Sequence, residues 1–312
     1  MSLVDLNPEG FRSGFIALIG RPNVGKSTLL NQFIGEKIAI TSPVAQTTRN
    51  RLKAILTNEK SQIVFVDTPG IHKPHHLLGE RLVQSAKRSI GEVDAVLVIL
   101  ESCYSPGKGD AYILNLLKHL KIPVLVALNK WDLVELSQFK ERKKEYNDFF
   151  QSFDWPVFCC SALNGEGCND LIKEISAKLP LGPQLYPSDM ICDHPEKFLM
   201  AEFIREQVLK NTREEIPHSV AVSIDRVEDI PSKDKSKKSN TGILATIAVE
   251  KKSQKGILIG KGGLMLKKIG QASRLQIQTL INGHVYLELF VKVIPNWRSK
   301  SSRLNDFGYE GN

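Results

Sequence analysis

Gly20-Arg21-Pro22-Asn23-Val24-Gly25-Lys26-Ser27 fits the pattern G-x-x-x-x-G-K-[ST] between an apolar run and a helical stretch. Such a loop turns backbone N–H groups inward around phosphate oxygens, and the helix that follows adds its positive end. Lys26 is placed to reach β- and γ-phosphates and the Ser27 hydroxyl to ligate Mg²⁺, with Thr28 completing the phosphate-binding set. Such loops serve ATP and GTP alike, so the base must be read elsewhere. Asn129-Lys130-Trp131-Asp132 ends a second apolar run and matches N-K-x-D. The Asp132 carboxylate can accept from guanine N1–H and N2–H₂ together, a paired donor edge that adenine lacks. In this pattern Asn129 braces the loop and the Lys130 stem covers the base. Ser161-Ala162-Leu163 resembles the motif whose backbone N–H meets guanine O6.

Asp67-Thr68-Pro69-Gly70 resembles D-x-x-G, with Asp67 holding Mg²⁺ through water and the Gly70 N–H at the γ-phosphate. Upstream, Gln46-Thr47-Thr48-Arg49 reads as a loop. Thr48, directly before the arginine as in related GTPases, is the expected Mg²⁺ ligand when GTP is bound. Loss of the γ-phosphate would free both loops, which is the logic of a switch. Ile71 stands where Ras-type enzymes carry a water-orienting glutamine, so the catalytic, water-positioning group is not readable. Asn23 matches an asparagine that ligates K⁺ in some GTPases with a hydrophobic residue at that place. It either holds K⁺ as a substitute for an arginine finger or only shapes the loop.

These residues need a frame. From Phe15 to Leu179, short apolar strands alternate with amphipathic stretches long enough for helices. The strands are Phe15–Gly20, Ile63–Asp67, Ala95–Leu100, Val124–Asn129 and Val157–Cys160. That alternation predicts an α/β, doubly wound, mostly parallel sheet, with Arg51–Thr57 as an antiparallel edge strand. Residues 1-180 form this domain, and the proline-broken stretch 181-194 reads as a linker. Residues 195-312 change order: a helix at Pro195–Asn211, strands at Ser219–Val227 and Gly242–Glu250, a glycine-interrupted helical region at Lys255–Leu280, and a strand at Val285–Val293.

That second half carries Ile259-Gly260-Lys261-Gly262-Gly263, an I-G-x-x-G between two helical segments. It matches the loop of a KH domain, and the element order suits the type II form, an α+β module. Glycines let backbone approach nucleic-acid phosphates, and Lys261, Lys267 and Lys268 supply charge. The alternative is a plain helix-turn-helix corner. Ile257, Ile259, Leu266 and Ile269 either line an apolar groove for unstacked bases or belong to the core. Seven basic residues and no acid lie from Lys251 to Arg274, against a net charge of +8 for the whole chain. Such a concentration suggests a polyanion surface or a solvated helix face. Single-stranded RNA is expected rather than DNA, because its bases are free to splay.

The totals set outer limits. A chain of 312 residues fits about two domains. Its 42% hydrophobic residues suffice for packed cores, and 24% charged residues argue against disorder. Apolar runs are too short to cross a bilayer, and the N-terminus shows no secretory signal. The five cysteines show no metal-ligand spacing and fit buried hydrophobes in a reducing compartment.

Taken together, the chain resembles the Era family of bacterial GTPases over nearly its whole length. The resemblance rests on Gly20–Ser27, Ala45–Arg49, Asp67–Gly70 and Asn129–Asp132, then on Phe198–Glu202, Ile204–Glu206, Pro217–Val220, Gly260–Gly263, His284–Leu289 and Val291–Val293. It implies a Mg²⁺-dependent GTPase that cycles between GTP and GDP, binds the 3′ end of 16S ribosomal RNA and helps assemble the 30S subunit. It also implies a cytoplasmic monomer with peripheral contact at the inner membrane. The lysine-rich Ser232–Asn240 loop departs from the family pattern and reads as a solvated insertion. Two other readings stay open: an RNA chaperone that has lost turnover, and a membrane-surface GTPase.

Overall fold

The computed structural model describes residues 9–309 apart from 45–46, 71–79, 81–83, 85–87 and 231–239. The readings of Ala45, Gln46, Ile71 and nearly all of the Ser232–Asn240 loop lie outside the described residues. The chain forms two compact units.

The first unit is built on strands β1 (Arg12–Ile19), β2 (Leu52–Thr57), β3 (Ser61–Asp67), β4 (Ala95–Glu101), β5 (Val124–Asn129) and β6 (Val157–Cys159). Their order is β2-β3-β1-β4-β5-β6. Every pairing is parallel except β2 with β3. All of β3 and β5, and all but the last residue of β4, are buried, as central strands covered on both faces must be. One face is covered by α1 (Lys26–Ile34) and α4 (Cys168–Lys178). The other packs on α2 (Lys108–Leu117) and α3 (Phe139–Phe150), which bring Ile113, Leu117, Tyr146 and Phe150 into its core. The loops that matter follow the carboxyl ends of β1, β3, β5 and β6, where open α/β sheets bind ligands.

Residues 181–193, expected as linker, run along the first unit. Gln62 Oε1 accepts from the backbone of Leu185 at 2.7 Å and Tyr186 at 2.9 Å, and the Ile55 N–H donates to the Ile191 carbonyl at 2.9 Å. The prolines prevent a helix, but the backbone still finds partners along an edge strand.

The second unit comprises Ile40–Thr47 and the chain from His194 onward, together with residues outside the description. Its helices are α5 (Glu196–Asn211), α6 (Ile216–Ser219), α7 (Lys252–Ile259), α8 (Leu264–Ile281) and α9 (Ser301–Asp306). Its strands are β7 (Ala221–Ile230), β8 (Asn240–Val249) and β9 (Val285–Val293), in the order β7-β8-β9. β7 and β8 are antiparallel with a bulge between Ile224 and Arg226, and β8 and β9 are parallel. α5, α7, α8 and the inner face of β8 share one apolar core, and Ile40 is part of it.

Two elements here were not expected. α6 is a single turn containing Pro217, too short to show a helical period. The tail carries Trp297, fully buried, whose Nε1–H donates to the Ser219 carbonyl at 2.9 Å. Among the described residues no helix is long and apolar enough to cross a membrane.

Candidate nucleotide and nucleic-acid sites

Lys26 opens α1 directly after the glycine loop. It is buried, and its ammonium donates to the carbonyls of Gly20 at 3.2 Å and Arg21 at 2.9 Å. Burial pulls its pKa down to about 8, with the Asp67 charge opposing the shift. Gly25, at φ 95, sits where a Cβ would lie 2.3 Å from Asn129 Nδ2. Only glycine fits this crossing of the phosphate loop and β5. Asn23, exposed and at φ 65, tops the loop, and Val24 is buried beneath it. Arg21 is drawn aside by the buried Asp110, its Nε 2.8 Å from Oδ1.

Asp67 ends β3 fully buried. Its Oδ2 accepts from the Ser27 hydroxyl at 2.9 Å and the Thr48 hydroxyl at 3.2 Å, and those hydroxyls lie 2.9 Å apart. Burial raises its pKa, while Lys26, the two hydroxyls and the nearby Thr68 N–H favour the charged form. Even so, buried Oδ1 has no partner of hydrogen-bond geometry. Two hydroxyls gathered on Oδ2 beside the orphaned Oδ1 of the same carboxylate make a set of oxygen ligands that suits a hard divalent cation such as Mg²⁺. Thr68 donates its hydroxyl to the Leu18 carbonyl at 2.6 Å, Pro69 is buried, and Gly70 lies so close that a Cβ would be 2.9 Å from Pro22 N. The phosphate loop, Asp67–Gly70 and Thr48 therefore meet at one place.

Asn129 ties three loops together. Its Nδ2 donates to the Val24 carbonyl at 2.8 Å, and its Oδ1 accepts from the Ala162 N–H at 2.9 Å. Lys130, at φ 64, pairs with Glu101 at 2.7 Å, and Asp132 stands exposed beyond it. In the Ser161–Leu163 loop, the Ser161 N–H is taken by the Glu166 carbonyl at 2.9 Å. The Leu163 N–H makes only a 3.3 Å contact with Ser161 Oγ.

In the second unit, Gly260, Gly262 and Gly263 have φ of 71, 60 and 77, a run of left-handed residues that turns α7 into α8. A Cβ at Gly262 would meet nothing within 4 Å, so its missing side chain leaves backbone open to a ligand. Lys261 is exposed and Ile259 partly buried against the core. A cleft of about 430 Å³ begins at Gly263 and runs between α8 and β9, with Leu266 and Lys267 on its wall. Ile269, one of the candidate groove residues, is fully buried core, and Ile257 is exposed outside this cleft. Lys268 does not line the cleft either.

The comparisons with known proteins agree with this geometry. The 50S ribosome-binding GTPase family matches residues 15–130 and the KH domain family matches residues 215–298. GTPase Era of Rippkaea orientalis is 54% identical over 310 residues, 99% of this chain and 96% of that protein. GTPase Era of Nostoc sp. is 53% identical over 302 residues, 97% and 91% of the two. The chain belongs to the Era family of GTPases. It hydrolyses GTP, and its fold is a P-loop GTPase domain with a mostly parallel sheet followed by a KH domain. Era has been solved in complex with MgGDPNP and nucleotides 1506-1542 of 16S ribosomal RNA. That structure matches at a TM-score of 0.90 and 37% identity, covering 96% of this chain and 100% of that one. A variant of Aquifex aeolicus Era bound to GDP and aluminium fluoride matches with the same score and coverage.

Several residues of this Era-family chain escaped sequence reasoning. Gly270, Gln271, Arg274 and Leu287–Leu289 line the α8–β9 cleft. A glycine inside a helix was the available signal, since mid-helix glycine usually marks a close approach. Arg205 and Glu206, both fully buried, stood in the sequence only among the residues of the family resemblance, and no pattern gave them a role. Arg205 donates to the Thr47 carbonyl and pairs with Glu202. Glu206 Oε1 accepts from the Thr41 N–H at 2.9 Å, and its Oε2 accepts from Gln276 on α8 at 2.7 Å.

Proposed function

We propose that this chain is a cytoplasmic Mg²⁺-dependent switch whose GTP-bound state grips the 3′ region of 16S ribosomal RNA during assembly of the 30S subunit. The observation that carries the metal and nucleotide part is the clustering of the Ser27 and Thr48 hydroxyls on Asp67 Oδ2, with Oδ1 of the same carboxylate buried and unpartnered. Ser27 and Thr48 would hold Mg²⁺ directly and Asp67 through water, neutralising phosphate charge as the γ-phosphoryl group leaves. Lys26 would bind the β- and γ-phosphates, Asp132 the guanine edge, and the Leu163 amide of the Ser161–Leu163 loop O6. Thr48 contacts the metal only while the γ-phosphate is present, so hydrolysis releases it.

For RNA, the open backbone at Gly262 and the adjoining cleft support a KH grip on about four nucleotides. The related Era structure with ribosomal RNA supports the choice of target. K⁺ at Asn23 is part of this reading, supported by an exposed side chain at the top of the phosphate loop. Faster turnover in KCl than in NaCl is the expected result, and equal rates would reject the ion.

Gly262→Asp tests the RNA half. An added carboxylate at the point of phosphate approach should weaken binding of a 16S 3′ fragment at least about tenfold and leave GTP turnover unchanged. Undiminished RNA binding would refute the assignment.

A further inference from the structure

A second cleft lies in the same unit as the α8–β9 groove, and no motif accounts for it. Its volume is about 710 Å³, and its walls come from the end of α5, the turn that follows, α8, and the segment of Pro43 and Val44. Three side chains of fixed positive charge, Lys210, Arg213 and Lys268, face one acid, Glu214. All three are exposed, and Lys210 also reaches Glu206 at 3.3 Å.

Lys267 and Lys268 are neighbours on α8, and side chains on successive helical residues diverge by about 100°. Lys267 lines the groove beside Gly263, and Lys268 lines the second cleft. The first turns of α8 therefore present a lysine to each side, just past the glycine loop.

We infer that the Lys210–Arg213–Lys268 cleft is a second RNA site, taking backbone phosphates of the strand after it leaves the glycine-loop groove. The inference rests on the RNA-binding reading above and extends it. A KH groove holds about four nucleotides, so a longer RNA must continue across the surface. On the other side of α8, counter-charge is gathered in this cleft. Its three cations outnumber its one acid, and such charge meets backbone phosphates rather than base edges, so it should add affinity without sequence preference.

The test compares two RNAs, both with a non-hydrolysable GTP analogue and Mg²⁺. One has about four nucleotides and fills only the groove. The other has the sequence of 16S nucleotides 1506-1542. In the double variant Arg213→Ala, Lys268→Ala, the longer RNA should bind about tenfold or more weakly. Its plot of log affinity against log salt should flatten by about 1.4, from two contacts at about 0.7 each on a single strand. The short RNA should bind within about twofold of the parent. Arg213→Lys with Lys268→Arg should restore the salt slope. Equal weakening of both RNAs, or an unchanged slope, overturns the second site. If the unsubstituted protein binds neither RNA, the RNA-binding reading itself falls.

Discussion

Asn129 holds the phosphate loop from below: its side-chain amide donates to the Val24 carbonyl at 2.8 Å. The same side chain fixes the Ser161–Leu163 loop through Ala162 at 2.9 Å. One buried residue therefore sets the distance between the phosphate grip and the base pocket. Replacing Asn129 with Ala strands a buried carbonyl and a buried N–H. At about 1–3 kcal/mol for each orphaned group, stability should drop by about 2–6 kcal/mol. GTP affinity should fall about a hundredfold or more, as both loops lose register. Denaturant unfolding and nucleotide titration measure the two effects.

Base choice rests on Asp132. Asp132→Asn replaces an acceptor pair with one acceptor and one donor, so a guanine N–H loses its partner. GTP affinity should drop at least about tenfold, because hydrogen bonds to charged groups contribute about 1.5–3 kcal/mol. Xanthosine triphosphate, whose base presents the complementary edge, should become the better ligand. Competition binding of the two nucleotides reads the switch.

Lys26 makes nucleotide binding depend on pH. Its pKa in the ligand-free protein is about 8 because its ammonium is buried without a phosphate partner. Bound phosphates restore the charged form, so binding takes up a proton, about half of one at pH 8. Affinity should fall as pH rises above 8. Calorimetry in buffers of differing ionisation heat measures the uptake. Stability runs the other way: between about pH 8 and the ordinary lysine value the unfolded chain holds more protons. The ligand-free fold should therefore gain stability as pH rises through that window. Lys26→Met should remove both dependences.

Much of this was legible in the sequence, and the reasons are physical. The phosphate loop, Asp67–Gly70 and Asn129–Asp132 each end an apolar run, so strand alternation alone placed them at one edge of a parallel sheet. β5 and β9 fall on Val124–Asn129 and Val285–Val293 as expected, because short branched runs bounded by turns leave little freedom. What stayed hidden depends on contacts distant in sequence. The Thr41–Glu206 hydrogen bond joins residues 165 apart, and no local period reports it. The same holds for Trp297 on Ser219, 78 apart. Prolines at 180–187 signalled a break in helix but could not say that the chain then follows an edge strand.

Trp297 makes the tail part of the RNA-binding unit. Trp297→Ala opens a large cavity and should cost about 3–5 kcal/mol. Trp297→Phe keeps most of the volume but orphans the Ser219 carbonyl, at about 1–3 kcal/mol. Thermal unfolding should rank parent above Phe above Ala.

Glu206 holds the segment just ahead of Thr48 to the helix that follows the glycine loop. Glu206→Gln keeps the shape but removes the charge, and turns one acceptor into a donor facing the Thr41 N–H or Gln276. RNA affinity with GDP should change by no more than about twofold, while the gain on switching to a GTP analogue should shrink. An undiminished gain would show that this contact does not carry the signal.

One linkage makes this protein a switch: the third phosphate governs the grip on RNA. The direct measurement is the affinity of the intact protein for 16S nucleotides 1506-1542, with Mg²⁺ and a non-hydrolysable GTP analogue and again with GDP. Tighter binding with the analogue, by about fivefold or more, is the predicted result. Equal affinity in the two states, or no binding in either, would contradict it.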